Sequence, residues 1–415
     1  MDPFRPDRAL AERAVALTSG IVSDCGARLA GSRASRKAAG LLEGELAACC
    51  DRVSVEEFSI HPDSFLAFMK FYAATYVASL VFFVLGGFFI HAAAILLLTG
   101  TMMSLSQFVF YLEFFDPFFK RRSGFNVVGV IEPAGEVRRQ VLVSGHHDSA
   151  REFKFLASRW QKLYAPRITA GVLCYLALTA AALAWALFRL QTGADPGFSR
   201  WMLPLGLAGA VFVVPFYFFL GEQGTPGAGD NMIGSVMAAS LAGIFGRAKK
   251  DGAPLLAHTR IVAASFDAEE CGLRGARDFV KRHAAELAAA PVSVLNIDSI
   301  YELDELKFLT SDLNGFTPLS RRMAGLCRDT AEALGRKATL NPMVFGGGAT
   351  DAAEFAKKGI EATSLLAMST KHVRENLVYH TLADTADRIE PEAVLAGLDI
   401  AYHFILLTDR SVADR

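Results

Sequence analysis

Long runs without a charged side chain are the feature of this sequence that most constrains its fold. No Asp, Glu, Lys or Arg occurs between Lys70 and Glu113, and residues 168–188 and 201–221 are likewise uncharged. A helix needs about 20 apolar residues to cross a bilayer, whereas the apolar runs of buried core helices are usually about 10–14 residues long. The first run is long enough for two crossings. The sequence therefore predicts four membrane helices, arranged as two hairpins.

The remainder of the chain alternates short apolar strands with helical segments. The chain is 52% hydrophobic and 20% charged, and the apolar surplus is concentrated in the hairpins. Alternation of strands and helices predicts an α/β fold, a mostly parallel mixed sheet sandwiched by helices. The predicted strands lie near residues 126–132, 140–145, 261–266, 292–297, 306–309 and 362–367, and the predicted helices at 235–250, 274–290, 319–334, 351–358 and 391–408.

Five polar motifs stand where strands or turns end, and their side chains could bind a metal ion. Side chains at the ends of separate strands converge at one edge of an open α/β sheet. A mixture of imidazole nitrogen and carboxylate oxygen fits zinc better than calcium or magnesium, which prefer oxygen alone. In a pair of adjacent glutamates, one carboxylate can hold a metal while the other transfers protons. The motifs are His146-His147-Asp148-Ser149, Asp230-Asn231, Glu269-Glu270, Asp298 and Tyr379-His380-Thr381.

The order and the flanks of these motifs resemble the M28 family of zinc aminopeptidases, which use two metal ions together. Residues 27–47 are similar to the family's N-terminal helix region, and Gly348-Ala349-Thr350-Asp351 is similar to a late turn of the family. The resemblance implies that Glu269 is the general base and that Asp148 orients a histidine ligand. It also implies two zinc ions, bridged by Asp230 and held by His146, Asp230, Glu270, Asp298 and His380.

Three details of the predicted site rest on separate arguments. His147 could replace His146 as the ligand, and the family's spacing to the following aspartate favours His146. Glu269 and Glu270 are expected to face opposite ways, because successive side chains alternate along a strand. Gly229 stands where many members of the family carry a second acidic residue, a departure that removes a charge without removing a ligand.

The hairpins interrupt the predicted peptidase domain. Because each hairpin returns the chain to the side it left, all site residues can gather on one side of a membrane, close to the bilayer surface. Residues 149–167 carry apolar side chains at helical spacing with basic residues between them, which fits either a helix among the lipid headgroups or an amphipathic connector packed on the domain. The predicted division is 1–64 for the N-terminal part of the peptidase domain, 65–119 for hairpin 1, 120–166 for the part with the first metal motif, 167–221 for hairpin 2 and 222–415 for the remainder.

The expected function is hydrolysis of amide bonds by a membrane-integrated aminopeptidase with two zinc ions. The aminopeptidase activity is implied by the family resemblance, and the hairpins suggest a peptide or amide substrate that is apolar or membrane-associated. Two alternatives stay open. One is a zinc-dependent amidohydrolase, acyltransferase or cyclase acting on lipids that contain amino acids, and the other is a catalytically silent, receptor-like relative. A silent relative would be expected to have lost ligands, and all five ligands and the base are present.

Basic residues near the helix ends predict the orientation in the membrane. The positive-inside rule places the catalytic domain in the cytoplasm and the helices in the plasma or inner membrane. No signal peptide is predicted, since the first residues lack an apolar core. Six cysteines without paired spacing fit a reducing compartment, and a net charge of -1 argues against nucleic acid as a partner. The oligomeric state is left open. The basic residues on the catalytic side are Lys70, Lys120, Arg121, Arg122, Lys154, Arg159, Lys162 and Arg167, against Arg189 and Arg200 on the other side.

Overall fold

A mixed, nine-stranded β-sheet forms the centre of the fold. The computed structural model of the chain describes residues 3–158, 161–194, 199–369 and 377–413. Within these residues the strands are β1 (Arg52–Ile60), β2 (Arg122–Ile131), β3 (Arg139–His146), β4 (Arg151–Phe153), β5 (Leu220–Gly224), β6 (Thr259–Phe266), β7 (Val292–Ile300), β8 (Leu306–Asp312), β9 (Thr317–Pro318), β10 (Thr339–Pro342) and β11 (Glu361–Ala367). The spatial order is β1-β2-β6-β3-β7-β11-β8-β10, with β9 beside β8, while β4 and β5 form a separate ribbon. Strands β6, β3, β7 and β11 are parallel to one another.

Helices cover both faces of this sheet. Side chains alternate between the two layers along each strand. In β2, Val127 packs toward α1, α2, α8 and α13, and the next residue, Val128, packs toward α9 and α12. This arrangement confirms the predicted α/β sandwich. The helices are α1 (Arg8–Cys25), α2 (Arg33–Ala47), α3 (Ala67–Leu85), α4 (Phe89–Ser104), α5 (Lys154–Ala157), α6 (Tyr164–Thr192), α7 (Ser199–Val213), α8 (Ile233–Lys250), α9 (Arg274–Arg282), α10 (Ala284–Ala289), α11 (Arg321–Ala333), α12 (Ala352–Ala356) and α13 (Pro391–Ala413).

The four uncharged segments form a separate helical bundle. Helix α4 continues as a π-helical turn (Leu105–Val109), and α7 continues as a 3-10 helix (Val214–Phe218). Inside the bundle the rings of Tyr72 and Tyr175 stack with centroids 3.4 Å apart. Its outer surface is apolar as well, which is the surface that lipid contact requires. More than half of the side-chain surface is exposed at Val81, Val84, Ile95, Leu173, Leu205 and Val211.

Length and composition alone would allow five helices of the described residues to cross a membrane. The fifth is the segment Pro391–Ser411 of α13, of which 67% is buried, compared with 28–50% for the other four. Helix α13 packs against α1, α8 and α11. It therefore belongs to the core of the α/β sandwich, as the sequence predicts for residues 391–408.

Each hairpin is inserted at the open end of a pair of antiparallel strands. Hairpin 1 joins β1 to β2, whose pairing ends at Ile60 opposite Arg122. Hairpin 2 joins β4 to β5, where Phe153 lies opposite Leu220. Antiparallel neighbours can be joined by a turn of only two residues. The hairpins therefore stand where short turns would otherwise be, and the strands remain paired.

Of the two predictions for residues 149–167, the helix among the lipid headgroups is wrong for the described part of that segment, which does not form one continuous helix. It contains strand β4, the single turn α5, a 3-10 turn (Gln161–Leu163) and the start of α6. The physical reason lies in the backbone partners. Phe153 N–H donates to the carbonyl of His380 at 2.9 Å, and Lys154 N–H donates to the carbonyl of Phe219 at 2.9 Å. These remote bonds hold the chain extended. Residues 159 and 160 lie outside the described residues.

Candidate metal centre

The ends of adjacent parallel strands bring the predicted ligands to one edge of the sheet. His146 is the last residue of β3, Asp298 lies in β7, and Glu269 and Glu270 follow β6. Strand β3 lies between β6 and β7, so these side chains are neighbours. Asp230 precedes α8, and His380 lies in the loop before α13. All of these side chains are buried or nearly so.

The imidazole of His146 faces three carboxylates. Its Nε2 lies 3.3 Å from Asp230 Oδ1, 3.7 Å from Glu269 Oε2 and 3.9 Å from Asp298 Oδ2. The side chain is 1% exposed. Three anionic groups around one buried nitrogen would repel one another unless a cation or protons lay between them. A divalent cation fits this position.

Asp230 is shared between the two histidines. Its Oδ2 lies 3.0 Å from Nε2 of His380, which is also 3.2 Å from Oε2 of Glu270. Asp230 therefore directs one oxygen toward His146 and the other toward His380. The described residues contain two groups whose ligand atoms lie within 4.8 Å of one another, one with His146, Glu269 and Asp298, the other with His146, Asp230 and Glu270.

Several of these atoms are buried without a hydrogen-bond partner among the described residues. They are Oδ2 of Asp230, Oε1 of Glu270 and both ring nitrogens of His380. Asp230 Oδ2 and His380 Nε2 are close, yet their directions do not make a hydrogen bond. Buried polar atoms are rarely left without partners. Atoms aimed at a shared point rather than at one another are what metal ligands require, and this nitrogen and oxygen donor set fits zinc.

Burial and mutual repulsion shift the ionisation of these groups. Burial raises the pKa of Asp298 to about 7, opposed by His146 and supported by Asp230. Burial lowers the pKa of His380, but the carboxylates of Glu270 and Asp230 outweigh it and raise that pKa to about 10. The pocket thus holds more negative charge than its two imidazoles can balance. A bound cation would offset this excess of negative charge.

Asp148 lies behind His146 and beneath the glutamate pair. Its Oδ1 is 3.4 Å from Nδ1 of His146, and its backbone carbonyl is 3.2 Å from the same nitrogen. The backbone N–H groups of Glu269 and Glu270 donate to Oδ1 and Oδ2 of Asp148, both at 3.2 Å. One carboxylate therefore contacts both the histidine and the glutamate turn. A carboxylate on the far ring nitrogen of a ligand histidine fixes its tautomer and orientation.

Glu269 and Glu270 do not lie on a strand, so the prediction that they face opposite ways by strand alternation has the wrong cause. Strand β6 ends at Phe266, and the pair lies in the following turn, with Ala268 at φ 59°. The two side chains still diverge, because the turn directs Glu269 toward His146 and Glu270 toward His380. The difference between them arises from the turn.

His147 lies away from the carboxylates. Its Nδ1 is 2.8 Å from Ser265 Oγ, and burial lowers its pKa to about 3. A neutral imidazole bonded to a serine within the domain is a structural residue. The structure therefore places His146, and not His147, among the predicted ligands.

His380 is held by two aromatic rings. The ring of Tyr379 stacks on the imidazole with centroids 3.8 Å apart, and Phe153 meets it edge-on at 4.3 Å. His380 has φ 53°, an uncommon conformation for a residue other than glycine. The bond from Phe153 N–H to its carbonyl holds that conformation. Phe153 ends the strand that leads into hairpin 2, so this histidine is tied to the hairpin.

Gly229 has no room for the acidic side chain that many family members carry. A Cβ atom at this position would lie 2.1 Å from Cε1 of Tyr301. The tyrosine ring occupies the space beside Asp230. Asp384 holds the same loop, because its carboxylate accepts from the N–H groups of Gly229 at 2.8 Å and Asp230 at 3.3 Å. Neither Tyr301 nor Asp384 belongs to one of the sequence motifs described above.

Arg28 is a further residue that the sequence patterns did not single out, although it lies in the 27–47 segment. Its side chain is fully buried, and burial lowers its pKa to about 10. The guanidinium donates to the carbonyls of His147, Pro226 and Gly227, each at 2.7 Å. It thereby fastens the loop after β3 to the loop before Asp230.

An Arg28→Met variant is expected to be less stable by about 3 kcal/mol, because several buried carbonyls lose a charged donor. A loss of that size lowers Tm by about 3–4 °C in a chain of this size. Thermal unfolding of the purified protein measures it. Arg33→Met is the matched control, since Arg33 is exposed on the first turn of α2. Equal Tm values for the two variants would contradict the role of Arg28.

Comparisons with known proteins agree with the resemblance of the sequence to M28 peptidases. Residues 213–405 match the model of peptidase family M28. This part of the chain is therefore related to the family. No curated protein sequence matches the chain. The M28 match begins within α7 and includes Asp230, Glu269, Glu270, Asp298 and His380, so His146 and Asp148 lie before it.

Solved structures share the fold at low sequence identity. The zinc aminopeptidase BSAP from Bacillus subtilis is 15% identical, with a TM-score of 0.56 over 98% of this chain and 96% of that chain. The LapA aminopeptidase of Legionella pneumophila is 12% identical, with a TM-score of 0.53 over 97% and 72%. A glutaminyl cyclase from Bacteroides thetaiotaomicron is 10% identical, with a TM-score of 0.57 over 95% and 97%. The match to the M28 model thus accompanies a fold that aminopeptidases and cyclases share.

Proposed function

We propose that this M28 protein is a membrane-integrated aminopeptidase that uses two zinc ions. The observation that carries the proposal is the position of Asp230, with one carboxylate oxygen beside His146 and the other beside His380. A carboxylate placed in this way would help to hold a cation beside each histidine. In this assignment Asp298 completes the site of His146, and Glu270 completes the site of His380.

Glu269 is the general base in this proposal. Burial raises its pKa well above the ordinary value, opposed by His146 and reinforced by Glu270 and Asp298. Zinc, when bound, acts as a Lewis acid and lowers the pKa of a water molecule that it holds. The carboxylate of Glu269 takes a proton from the attacking water molecule and returns it to the leaving amine. Asp148 keeps both His146 and the turn of Glu269 in place.

The bundle of α3, α4, α6 and α7 is assigned to the membrane because its outer surface is apolar and its helices reach bilayer length. The excess of basic residues on the catalytic side assigns the peptidase domain to the cytoplasm. Phe153 links hairpin 2 directly to His380. An active site this close to the bundle suits a substrate that is apolar or held in the bilayer.

The test is to purify the full chain in lipid nanodiscs and to measure zinc content together with hydrolysis of three substrates. These are a soluble aminoacyl amide, the same amide carrying an acyl chain, and a peptide with N-terminal glutamine. About two zinc ions per chain and release of the N-terminal amino acid are expected. Each additional buried methylene contributes about 0.8 kcal/mol, so kcat/KM for the acylated substrate should be about tenfold higher or more.

The three substrates separate the possible failures. Equal or higher kcat/KM on the soluble amide would overturn the lipophilic substrate class and leave the peptidase activity intact. One zinc ion per chain, together with ring closure of the N-terminal glutamine and no release of amino acid, would replace the aminopeptidase with a cyclase, the activity named for one structural neighbour.

A further inference from the structure

Three exposed aromatic rings from separate parts of the chain meet beside the end of hairpin 1. The rings of Phe110 and Phe316 lie 6.2 Å apart, and those of Phe316 and Phe345 lie 6.1 Å apart. Their exposed fractions are 48%, 58% and 68%. Single exposed apolar residues are ordinary, but a contiguous group suggests a binding surface. These three residues are called the aromatic rim below.

Chain connectivity fixes the depth of the rim relative to hairpin 1. The span from Phe89 to Val109 has 21 residues, about 31 Å of helix at 1.5 Å per residue, which matches the hydrocarbon thickness of about 30 Å. Phe110 is the next residue. If the span crosses the bilayer, Phe110 lies where the chain leaves the hydrocarbon, and its ring contacts hold Phe316 and Phe345 close to the same depth.

Polar contacts fix the three parts of the rim to one another. Asn314 Nδ2 donates to the carbonyl of Phe108 at 2.7 Å. Its Oδ1 accepts from the N–H groups of Gly346 at 3.1 Å and Gly348 at 3.3 Å. One buried side chain thus joins the end of hairpin 1, the β8–β9 turn and the loop that carries Phe345. These hydrogen bonds hold the three segments of the rim in fixed positions relative to one another.

We propose that the aromatic rim inserts into the membrane leaflet on the catalytic side, at the boundary between headgroups and acyl chains. The proposal rests on the proposed membrane insertion of the four helices. It is supported by two exposed phenylalanines that follow Phe110 in the sequence, Phe114 and Phe118, and by the basic residues after them. Aromatic side chains flanked by Lys and Arg are typical of membrane interfaces. The basic residues are Lys120, Arg121 and Arg122, all exposed.

If the rim lies in the bilayer, Phe110 contacts lipid while the next residue of the chain is buried in the catalytic domain. Tyr111 follows Phe110, is only 4% exposed and lies within the electrostatic reach of Glu269. Its carbonyl accepts from Arg274 at 3.1 Å and from Arg277 at 2.7 Å, two residues of the helix that follows the glutamate turn. Phe110 thus faces outward and Tyr111 inward on the same short segment.

The experiment adds one tryptophan at a time to the full chain in nanodiscs, as Phe316→Trp and Phe345→Trp. The added fluorescence is compared with that of the parent protein, using lipids brominated either near the headgroup or near the acyl terminus. Val77→Trp in the middle of α3 and Leu41→Trp on α2 are the controls, since both positions are exposed. Zinc content verifies that each variant is folded.

Both rim variants should lose fluorescence more strongly with headgroup-proximal bromine, whereas Val77→Trp should lose more with terminal bromine and Leu41→Trp should lose none. Quenching of Val77→Trp without quenching at the rim would overturn this proposal and leave the membrane helices in place. Lack of quenching at Val77 would overturn the proposed membrane insertion itself. Rim fluorescence that responds to water-soluble acrylamide, and is protected by an apolar peptide, would make the rim a substrate subsite and would also overturn the proposal.

Discussion

A Glu269→Gln variant is expected to lose turnover by about 10²–10⁴-fold, the usual contribution of a general base, and to keep its zinc. The amide has nearly the same shape as the carboxylate but cannot accept the proton. The turn that carries residue 269 is held through its backbone N–H, which donates to Asp148. The substitution should therefore leave the turn in place. Steady-state kinetics and metal analysis of the same preparation measure the two quantities.

Glu136→Gln is the matched control for this variant, because the Glu136 side chain is 81% exposed and lies outside the metal centre. Its activity should equal that of the parent protein. Loss of zinc together with activity in the Glu269→Gln variant would identify Glu269 as a ligand instead. That outcome has a structural basis, since Oε2 of Glu269 also lies within 4.8 Å of the ligand atoms of His146 and Asp298. Turnover within tenfold of the parent would contradict the assignment of the base.

The strands and the edge of the sheet where the ligands meet could be predicted because they follow from local pattern. Apolar runs such as residues 141–143 are long enough to form buried strands, and the polar residues that follow them mark the strand ends. Parallel neighbours then bring those ends together. His146 and Asp298 accordingly lie on β3 and β7, adjacent in the sheet. No tertiary contact is needed for that inference.

The parts of the site that were missed depend on contacts between distant segments. Arg28 contacts backbone carbonyls about 120 and 200 positions away in the sequence. Every residue has a backbone carbonyl, so a pattern of side chains does not show which ones Arg28 contacts. The same applies to Phe153, whose position in β4 is set by β5 and by His380. Residues 149–167 have helical spacing of apolar side chains, but remote backbone partners prevent a continuous helix. Local propensity is outweighed there by tertiary hydrogen bonds.

The positions of the hairpins explain how an apolar helical bundle and an α/β sandwich fit into one chain. Both hairpins leave and re-enter at antiparallel strand ends, so the chain on either side needs no rearrangement. The second insertion separates His146 from Asp230 in sequence but not in space. Sequence similarity to the family is accordingly continuous only from residue 213 onward, although the likeness in fold covers nearly the whole chain.

An Asp230→Asn variant is expected to show the largest loss of metal, from about two zinc ions per chain to fewer than one. Among the described residues, Asp230 has the only carboxylate with oxygens within 3.5 Å of ring nitrogens of both His146 and His380. Its replacement by a neutral amide weakens both sites together. His380→Ala removes a ligand from one site alone and should retain about one zinc. Metal analysis after dialysis at equal free zinc measures the difference.

The comparison of these two variants separates loss of metal from loss of fold. The backbone at Asp230 is held by Asp384 through the N–H groups of residues 229 and 230, so the shape of the loop does not depend on the Asp230 carboxylate. A ligand that binds only the folded protein raises Tm in proportion to its affinity and concentration. The rise in Tm when zinc is added back after chelation should therefore be smaller for Asp230→Asn than for the parent. Asp387→Asn, at an exposed position, should match the parent under both conditions. An Asp230→Asn variant that keeps both ions, or a His380→Ala variant that loses both, would contradict the bridging role.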